Sequence, residues 1–291
     1  MHQYLRAVGF SKTKTKKELK DLMNDLIVNP NDKSFVETDR DSILVEYSKN
    51  YSSSTGITLR GEFDEEQNLT MDFYFPYVRP HQVSSQEAVS VERHAQNESF
   101  AAVCEDYRVG VTLIFYVQNG LNMMKKVTED DLSAPRTSIS LSALSINGII
   151  MLPIKKDEEE KDQIKKAAKD RSKQIVAAKA GDEKAMEKLT LEDIDTYNAL
   201  SRRILTDDVF SLVDSFLMPY GVECDQYSLL GEIEEVSLEK NYLTEEELYV
   251  MTINCNGLPI TLCINKMDLL GEPMVGRRFK GDIWLSGVIN S

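Results

Sequence analysis

The sequence predicts an α+β protein in which two antiparallel-sheet lobes are joined and covered by helices. Segments enriched in β-branched and aromatic residues, separated by turn residues, occupy both ends of the chain. A mostly helical middle, residues 155–218, lies between them. We therefore divide the chain into a helix plus sheet lobe (1–154), a charged helical connector (155–205) and a helix plus small β lobe (206–291).

The first predicted helix covers residues 15–28. Thr15 and Glu18 have the spacing of a capping box. Apolar residues then recur at helical spacing: Leu19, Leu22, Met23, Leu26 and Ile27. This stripe predicts a helix that packs on the sheet of the first lobe.

The strands of the first lobe are predicted from their residue types and alternation. They cover residues 42–48, 57–63, 69–78, 98–106, 107–119 and 138–154. Asn119-Gly120 and Asn147-Gly148 have the composition of tight turns. The pattern favours an antiparallel meander of six or more strands, with a turn inside 138–154.

Helices are predicted in the middle of the chain. Residues 155–180 carry many charges and few apolar residues, which indicates an exposed helix. Gly181-Asp182 ends it, and Thr190 has the position of an N-cap for a second helix. Thr206 would cap a third helix, extending to Leu217, whose apolar face packs on a sheet before Pro219 stops it.

A β-hairpin is predicted over residues 249–264. An Asn256-Gly257 turn would pair Cys255 with Leu258, and the pairs Ile253–Ile260, Met251–Leu262 and Tyr249–Ile264 follow from it. All four pairs are apolar, whereas Thr252 lies beside Thr261 on the opposite face. Turn and hydrophobic pattern specify the same register.

Charge and cysteine usage limit the class of protein. The net charge of −14 disfavours non-specific binding to nucleic acid or anionic membranes. Apolar runs are too short to span a bilayer, and the N-terminal residues have no apolar signal-peptide region. The four cysteines have neither metal-site spacing nor a disulfide framework, which predicts buried thiols in a cytoplasmic protein.

Three stretches of the chain resemble one protein family. They are MPYGVECDQYSLLGEI (218–233), INKMDLLGEPMVGRRFKGDIWLSG (264–287) and TLEDIDTYNALSRRI (190–204). They resemble an uncharacterised family of unknown function from gut Clostridia (Firmicutes). The resemblance implies a bacterial, cytoplasmic protein and brings no activity or catalytic residue with it.

One nucleotide-binding motif has to be considered. Asn265-Lys266-Met267-Asp268 follows a predicted strand and matches the guanine-reading NKxD of GTPases. A GTPase also needs a GxxxxGK[ST] phosphate-binding loop, which this sequence lacks. The sequence therefore argues against GTP binding.

Candidate metal and acid–base groups are few. His2, His81 and His94 are far apart in sequence and have no metal-ligand spacing. Glu92 and His94 would share one face of a strand, either as an exposed surface pair or as part of an acid–base site. We predict no metal and no cofactor.

The candidate ligand-binding residues are Arg278, Lys280 and Trp284. On a regular strand Phe279, Ile283 and Leu285 would face the core and these three would face outward. Two cations beside an exposed indole could bind an anionic or aromatic ligand. Alternatively, a bulge at Gly281 turns Trp284 into the core, or a helix covers the outer face of a regular strand.

Two classes of function follow. The first is a non-enzymatic interaction protein that presents its surfaces to a protein partner. The second is an enzyme or small-ligand-binding protein, without a recognisable motif, whose site lies between the lobes. The absence of motif-bearing chemistry favours the first.

Overall fold

The computed structural model describes residues 1–37, 43–64, 66, 68–94, 99–106, 108–123, 138–154, 158–203 and 213–290. Within these ranges the chain is mostly β, with many more residues in strands than in helices. A 3-10 helix covers Gln3–Val8, and the longer helices are α1 (Lys16–Val28), α2 (Glu158–Lys179) and α3 (Glu183–Arg203). A second 3-10 turn covers Lys266–Asp268.

Four strands form a separate antiparallel sheet, which we call the N-terminal sheet. They are β1 (Asp32–Glu37), β2 (Ile43–Asn50), β3 (Thr55–Phe63) and β4 (Leu69–Val78), paired in chain order. Helix α1 packs against β2 and β3. Its N-terminus has the predicted capping box between Thr15 and Glu18, and Leu22, Met23 and Leu26 are buried.

Five strands close into a barrel. They are β8 (Ser138–Met151), β10 (Gln226–Lys240), β11 (Glu247–Cys255), β12 (Leu258–Asn265) and β14 (Arg278–Asn290). The order around the barrel is β8-β12-β11-β10-β14, and the β14–β8 pairing closes the ring. Of the five strand pairings that form the ring, only β12–β8 is parallel, and the other four are antiparallel.

Smaller strands extend the barrel. Antiparallel β5 (Val89–His94), β6 (Ser99–Asp106) and β7 (Val111–Val117) join it where β7 pairs with β14 at Ser286 and Gly287. The short strands β9 (Phe216–Pro219) and β13 (Leu269–Leu270) pair with β10 and β8. In the described ranges, fourteen strands therefore stand beside only three long helices.

The predicted fold class is therefore wrong. The protein is a β protein with a closed barrel and a four-stranded sheet, not an α+β protein whose sheets are covered by helices. The strands were assigned to two separate lobes because strand propensity does not show which strands pair. Strand β8, from the predicted first lobe, lies between β12 and β14 of the predicted second lobe.

The predicted turn at Asn147-Gly148 is also wrong, because β8 runs through it. Gly148 is opposite Gly281 of β14, and the ring of Phe279 covers both. A Cβ atom on Gly148 would lie 2.5 Å from Cε2 of Phe279. Glycine here makes room for a core aromatic side chain rather than reversing the chain.

The predicted middle helices need two corrections. Helix α3 begins at Glu183, after Asp182 accepts hydrogen bonds from the amides of Lys184 and Ala185. Thr190 lies inside the helix, and its hydroxyl donates to the Met186 carbonyl instead of capping a new helix. The end of the third predicted helix is a strand, since Phe216–Pro219 pairs with β10; residues 206–212 lie outside the described ranges.

The 249–264 hairpin is confirmed in register. Cys255 pairs with Leu258 and Met251 with Leu262 across an Asn256-Gly257 turn, and Asn256 has the positive φ of 53° that such turns use. The opposite face is buried as well, because Thr252 donates to Glu235 and Thr261 accepts from the His81 amide. A barrel strand covered on its outer side buries both faces.

Two large hydrophobic cores and one small cluster, formed by Val36, Leu44 and Leu121, lie in the described part of the chain. The first fills the barrel and the space under β6 and β7, and includes Phe115, Leu141, Ile260, Phe279 and Leu285. The second lies between the outer surface of the barrel and the N-terminal sheet, and includes Leu26, Ile57, Leu59, Val250 and Trp284. The N-terminal residues Tyr4, Leu5, Ala7 and Val8 contribute to this second core.

Candidate functional site

Trp284 lies in the second core. Along β14, Phe279, Ile283 and Leu285 point into the barrel as predicted, and Trp284 points away from it. The register of β14 with β10 is unbroken, and the irregularity between Asp282 and Ile283 concerns its pairing with β8. The strand is therefore regular at Gly281, and its outer face is covered.

Residues from the start of the chain cover the indole. The ring centroids of His2 and Tyr4 lie 4.9 and 5.7 Å from that of Trp284, and Tyr116 lies at 5.4 Å. Trp284 is only 5% exposed, and its Nε1 donates to Oδ2 of Asp225 over 2.7 Å. The exposed tryptophan on which the ligand hypothesis depended is not present.

The two predicted cations have different surroundings. Arg278 is buried, and its guanidinium donates to the carbonyl oxygens of Leu152 and Val213 over 3.1 and 3.0 Å. Lys280 is half-buried on the same face of β14, opposite Ile149. Ligand binding by Arg278, Lys280 and Trp284 stays a prediction, with Lys280 as its accessible member.

The aromatic cluster around Trp284 contains a half-buried histidine, His2. Burial lowers the pKa of His2 from 6.5 to about 4, and its backbone amide donates to the hydroxyl of Tyr74. Among the described residues, His2 Nδ1 and the Tyr116 hydroxyl are buried without a hydrogen-bond partner. The cluster is an aromatic packing centre in which these two polar atoms are buried without a partner, while the Trp284 Nε1 and the Tyr74 hydroxyl are hydrogen-bonded.

The NKxD-like segment fastens the chain's N-terminal residues. The Asn265 amide donates to Glu246 and to the Arg6 carbonyl, and its oxygen accepts from the Met267 amide. Lys266 pairs with Glu247 over 2.8 Å, and Asp268 pairs with Arg6. The three polar side chains of the motif are thus engaged within the protein.

A serine–histidine–glutamate group occurs where the N-terminal sheet meets the barrel. Glu239 of β10 accepts hydrogen bonds from the hydroxyls of Ser52 and Ser54 over 2.7 and 2.6 Å, and from the Ser54 amide over 2.9 Å. His81 Nε2 lies 3.4 Å from the Ser54 hydroxyl. Because the carboxylate binds the serines rather than orienting the histidine, the group lacks the order of a hydrolase triad. It holds the β2–β3 turn on the barrel.

A concavity lies beside Arg108. Its volume is about 380 Å³, and its walls come from residues 83–87 and Arg108. The guanidinium is held by bonds to buried Asp106 and to the carbonyl oxygens of Ser84 and Gly257. Hydrogen bonds from Arg108 and Ser85 lower the pKa of Asp106 against the opposing effect of burial. This open, mostly polar concavity is a candidate small-ligand site.

A buried ion pair lies inside the N-terminal sheet, and sequence reasoning missed it. Glu46 and Arg60 are directly opposite each other on β2 and β3, and Arg60 Nε lies 2.6 Å from Glu46 Oε2. The guanidinium carbon is 5.3–5.8 Å from the ring centroids of Phe73, Phe75 and Phe100. The opposite charges of Glu46 and Arg60 at facing strand positions could have predicted the ion pair. Its burial could not be predicted, because it depends on Phe100 from another sheet.

The remaining candidate groups are the cysteines and the Glu92–His94 pair. Cys104, Cys255 and Cys263 are buried, as predicted, whereas Cys224 is exposed. Burial raises the pKa of the Cys104 thiol to about 11 and that of Cys255 to about 12. The side chains of Glu92 and His94 lie outside the described part of the chain. In that part, no three His, Cys, Asp or Glu side chains are grouped as metal ligands.

Helices α2 and α3 form an antiparallel pair, which we call the helical hairpin (residues 158–203). Gly181 turns the chain between them with a φ of 92°. Arg171 and Glu192 face each other across the pair at 4.0 Å, and Lys179 reaches Glu105 of β6 at 3.8 Å. No helix in the described ranges is long and apolar enough to cross a membrane.

Helix α3 has apolar side chains on two sides. Ala185 is buried and Leu189 half-buried, whereas Met186, Leu191 and Ile194 are 45–57% exposed. At 3.6 residues per turn, the three exposed residues fall within an arc of about 140° on the side away from Ala185 and Leu189. A helix that is apolar on both sides has a second surface to bury.

The fold and these sites define a β-barrel protein with an added N-terminal sheet and a helical hairpin. The family described as "Domain of unknown function, E. rectale Gene description (DUF3881)" matches residues 5–287. The chain belongs to this family, which agrees with the resemblance seen in the sequence, and its function is unknown. Neither the curated proteins nor the solved structures include a match to it.

Proposed function

We propose that this protein is a non-enzymatic cytoplasmic protein that acts by binding another protein, and that the helical hairpin is its binding surface. The observation that carries the proposal is the second apolar side of α3, formed by Met186, Leu191 and Ile194. Exposed apolar groups on one face of a helix are typical of surfaces that a partner covers.

Three polar clusters of the protein have structural roles, because their side chains are engaged within the fold. Asn265, Glu239 and Arg108 are the centres of three polar clusters, and each joins segments that are distant in sequence. Their hydrogen bonds hold the fold together. Four free cysteines, three of them buried, are consistent with the cytoplasmic setting that we propose.

The proposal is tested by photo-crosslinking in cells that make the protein. A photoreactive amino acid replaces Leu191 on the hairpin and, in a matched control, the fully exposed Val222 outside it. We expect a discrete crosslinked protein species from position 191 that the substitution Ile194→Lys removes. Equal crosslinking from both positions, or crosslinks that Ile194→Lys does not change, would contradict the proposal.

A second candidate function is small-ligand binding at the concavity beside Arg108. Its volume of about 380 Å³ is within the range of small-molecule sites. Native mass spectrometry of the protein purified from its source would then show a bound small molecule. The substitution Gln86→Trp, at an exposed position of the wall, should abolish that binding and leave the hairpin crosslinks unchanged.

A further inference from the structure

We infer that the lysine-rich start of helix α1 is a second binding surface, which takes a short acidic segment of a partner protein. This surface, which we call the lysine cluster, belongs to a different element from the helical hairpin. The inference therefore goes beyond the function proposed for the hairpin and does not depend on it. The members of the lysine cluster are all exposed: Lys12, Lys14, Lys16, Lys17 and Lys20.

The first argument is the charge of the lysine cluster against that of the whole protein. Residues 12–21 contain five lysines, one glutamate and one aspartate, so the segment carries +3, whereas the whole chain carries −14. Most of the protein therefore repels an anionic partner, and this segment attracts it. Such a contrast steers and orients an anionic partner towards one place on the surface.

The second argument is the position of the lysines on the helix. Helix α1 begins at Lys16, so Lys16 and Lys17 occupy the first two helical positions, where the backbone amides already place partial positive charge. Cations at these positions destabilise a helix. Glu18, the acidic residue of the first turn, accepts hydrogen bonds from the amides of Lys14 and Thr15 over 2.8 and 2.9 Å, so it caps the backbone. Residue choices that act against local stability are expected where a function needs them.

The third argument is that the lysine cluster is held in place on both sides. Behind it in sequence, Leu22, Met23 and Leu26 of α1 are buried. In front of it, the Ser11 hydroxyl donates to Oε1 of Glu246 over 2.7 Å. Because the backbone is anchored at both ends, a partner does not have to order it, which lowers the entropic cost of binding.

The composition of the segment favours an acidic protein segment over other polyanions. The apolar stripe of α1 is used in the core, so the helix has no free apolar face to insert into a membrane. Residues 11–21 contain neither arginine nor an aromatic residue, the side chains on which proteins stack the bases of single-stranded nucleic acid. Carboxylates need only the ammonium groups. Lys16 and Lys20 are about 6 Å apart along the helix axis, which fits a run of a few Asp or Glu residues.

The test is binding of a dye-labelled oligoglutamate peptide to the full-length protein, measured by fluorescence anisotropy at low ionic strength. We expect saturable binding that weakens as salt is added. The triple substitution Lys16→Glu/Lys17→Glu/Lys20→Glu should weaken it by roughly tenfold or more. The variant should unfold at the same or a higher temperature than the wild type, because glutamates suit the start of a helix.

A matched control makes the same change of net charge elsewhere. Lys173→Glu/Lys184→Glu/Lys188→Glu replaces three exposed lysines of the helical hairpin and should retain most of the affinity for the peptide. Absence of peptide binding to the wild type, or equal weakening in both triple variants, would overturn the inference. Tighter binding of an oligouridine strand or of phosphatidylserine vesicles, lost in the α1 variant, would overturn it in favour of a nucleic acid or a membrane.

Discussion

The indole nitrogen of Trp284 donates a hydrogen bond to Oδ2 of Asp225 over 2.7 Å, in a setting where the indole is 5% exposed. This bond joins the middle of β14 to the loop before β10. The backbone amide of Leu285 donates to the carbonyl oxygen of the same Asp225. The aspartate therefore fixes both the side chain and the backbone at the centre of the second core.

The fluorescence of the only tryptophan reports on this arrangement. We expect a blue-shifted emission maximum and weak quenching by acrylamide, because the indole is covered by His2 and Tyr4. Asp225→Ala should lower the free energy of unfolding by about 1–3 kcal/mol, since it leaves the buried Nε1 without its acceptor. Glu272→Ala, an exposed carboxylate, is the matched control. Strong quenching in the wild type would favour the predicted ligand site instead.

Acid should destabilise the protein through His2. Its pKa is about 4 in the folded protein and 6.5 in the unfolded chain, so the unfolded state binds more protons between these values. Stability is therefore lost as the pH falls from 6.5 to 4, by up to about 3 kcal/mol. His2→Gln should remove this part of the pH dependence in urea unfolding curves. Identical pH profiles for the wild type and His2→Gln would refute this role of His2. The control is the substitution His81→Gln at an exposed position.

The contact between Glu239 and Ser54 should stabilise the junction of the N-terminal sheet with the barrel. Glu239→Ala removes the acceptor of three hydrogen bonds, including the one from the Ser54 amide. We expect a loss of about 1–3 kcal/mol and faster hydrogen exchange of the amides at 52–55. Glu232→Ala, an exposed position on the same strand, should have neither effect. Unchanged exchange in Glu239→Ala would show that the turn is held by other contacts.

Removing one partner of the Asp106–Arg108 pair should strongly destabilise the protein at neutral pH. Arg108→Met leaves a fully buried carboxylate without its cation, and removal of one partner of such a pair typically costs about 3–5 kcal/mol. The folded-state pKa of Asp106 is lowered, so its contribution is present at neutral pH and is lost as the pH falls through that pKa. The difference between wild type and variant should thus shrink in acid. Arg277→Met is the control, and an equal loss there would contradict the assignment.

The sequence determined the features that depend on neighbouring residues. The capping box of Thr15 and Glu18 required only residues three positions apart, and it starts α1 as predicted. The Asn256-Gly257 turn and its apolar pairs specified the hairpin register, because a slip by one residue would exchange its faces. Alternation along β14 likewise placed Phe279, Ile283 and Leu285 in the core.

Only the tertiary structure decided which strands meet. Nothing local in β8 indicates that β12 and β14 are its neighbours, because parallel pairing and barrel closure join segments that are far apart in the chain. For the same reason Asn147-Gly148 has the composition of a turn although it lies inside β8. The aromatic ring for which Gly148 makes room is that of Phe279, on β14. Local alternation left open whether Trp284 lies on the outer face of β14 or is turned into the core by a bulge at Gly281. The strand is regular there, and the outer face is covered by His2 and Tyr4 from the other end of the sequence. Local sequence sets the face of each side chain, and long-range packing decides what covers it.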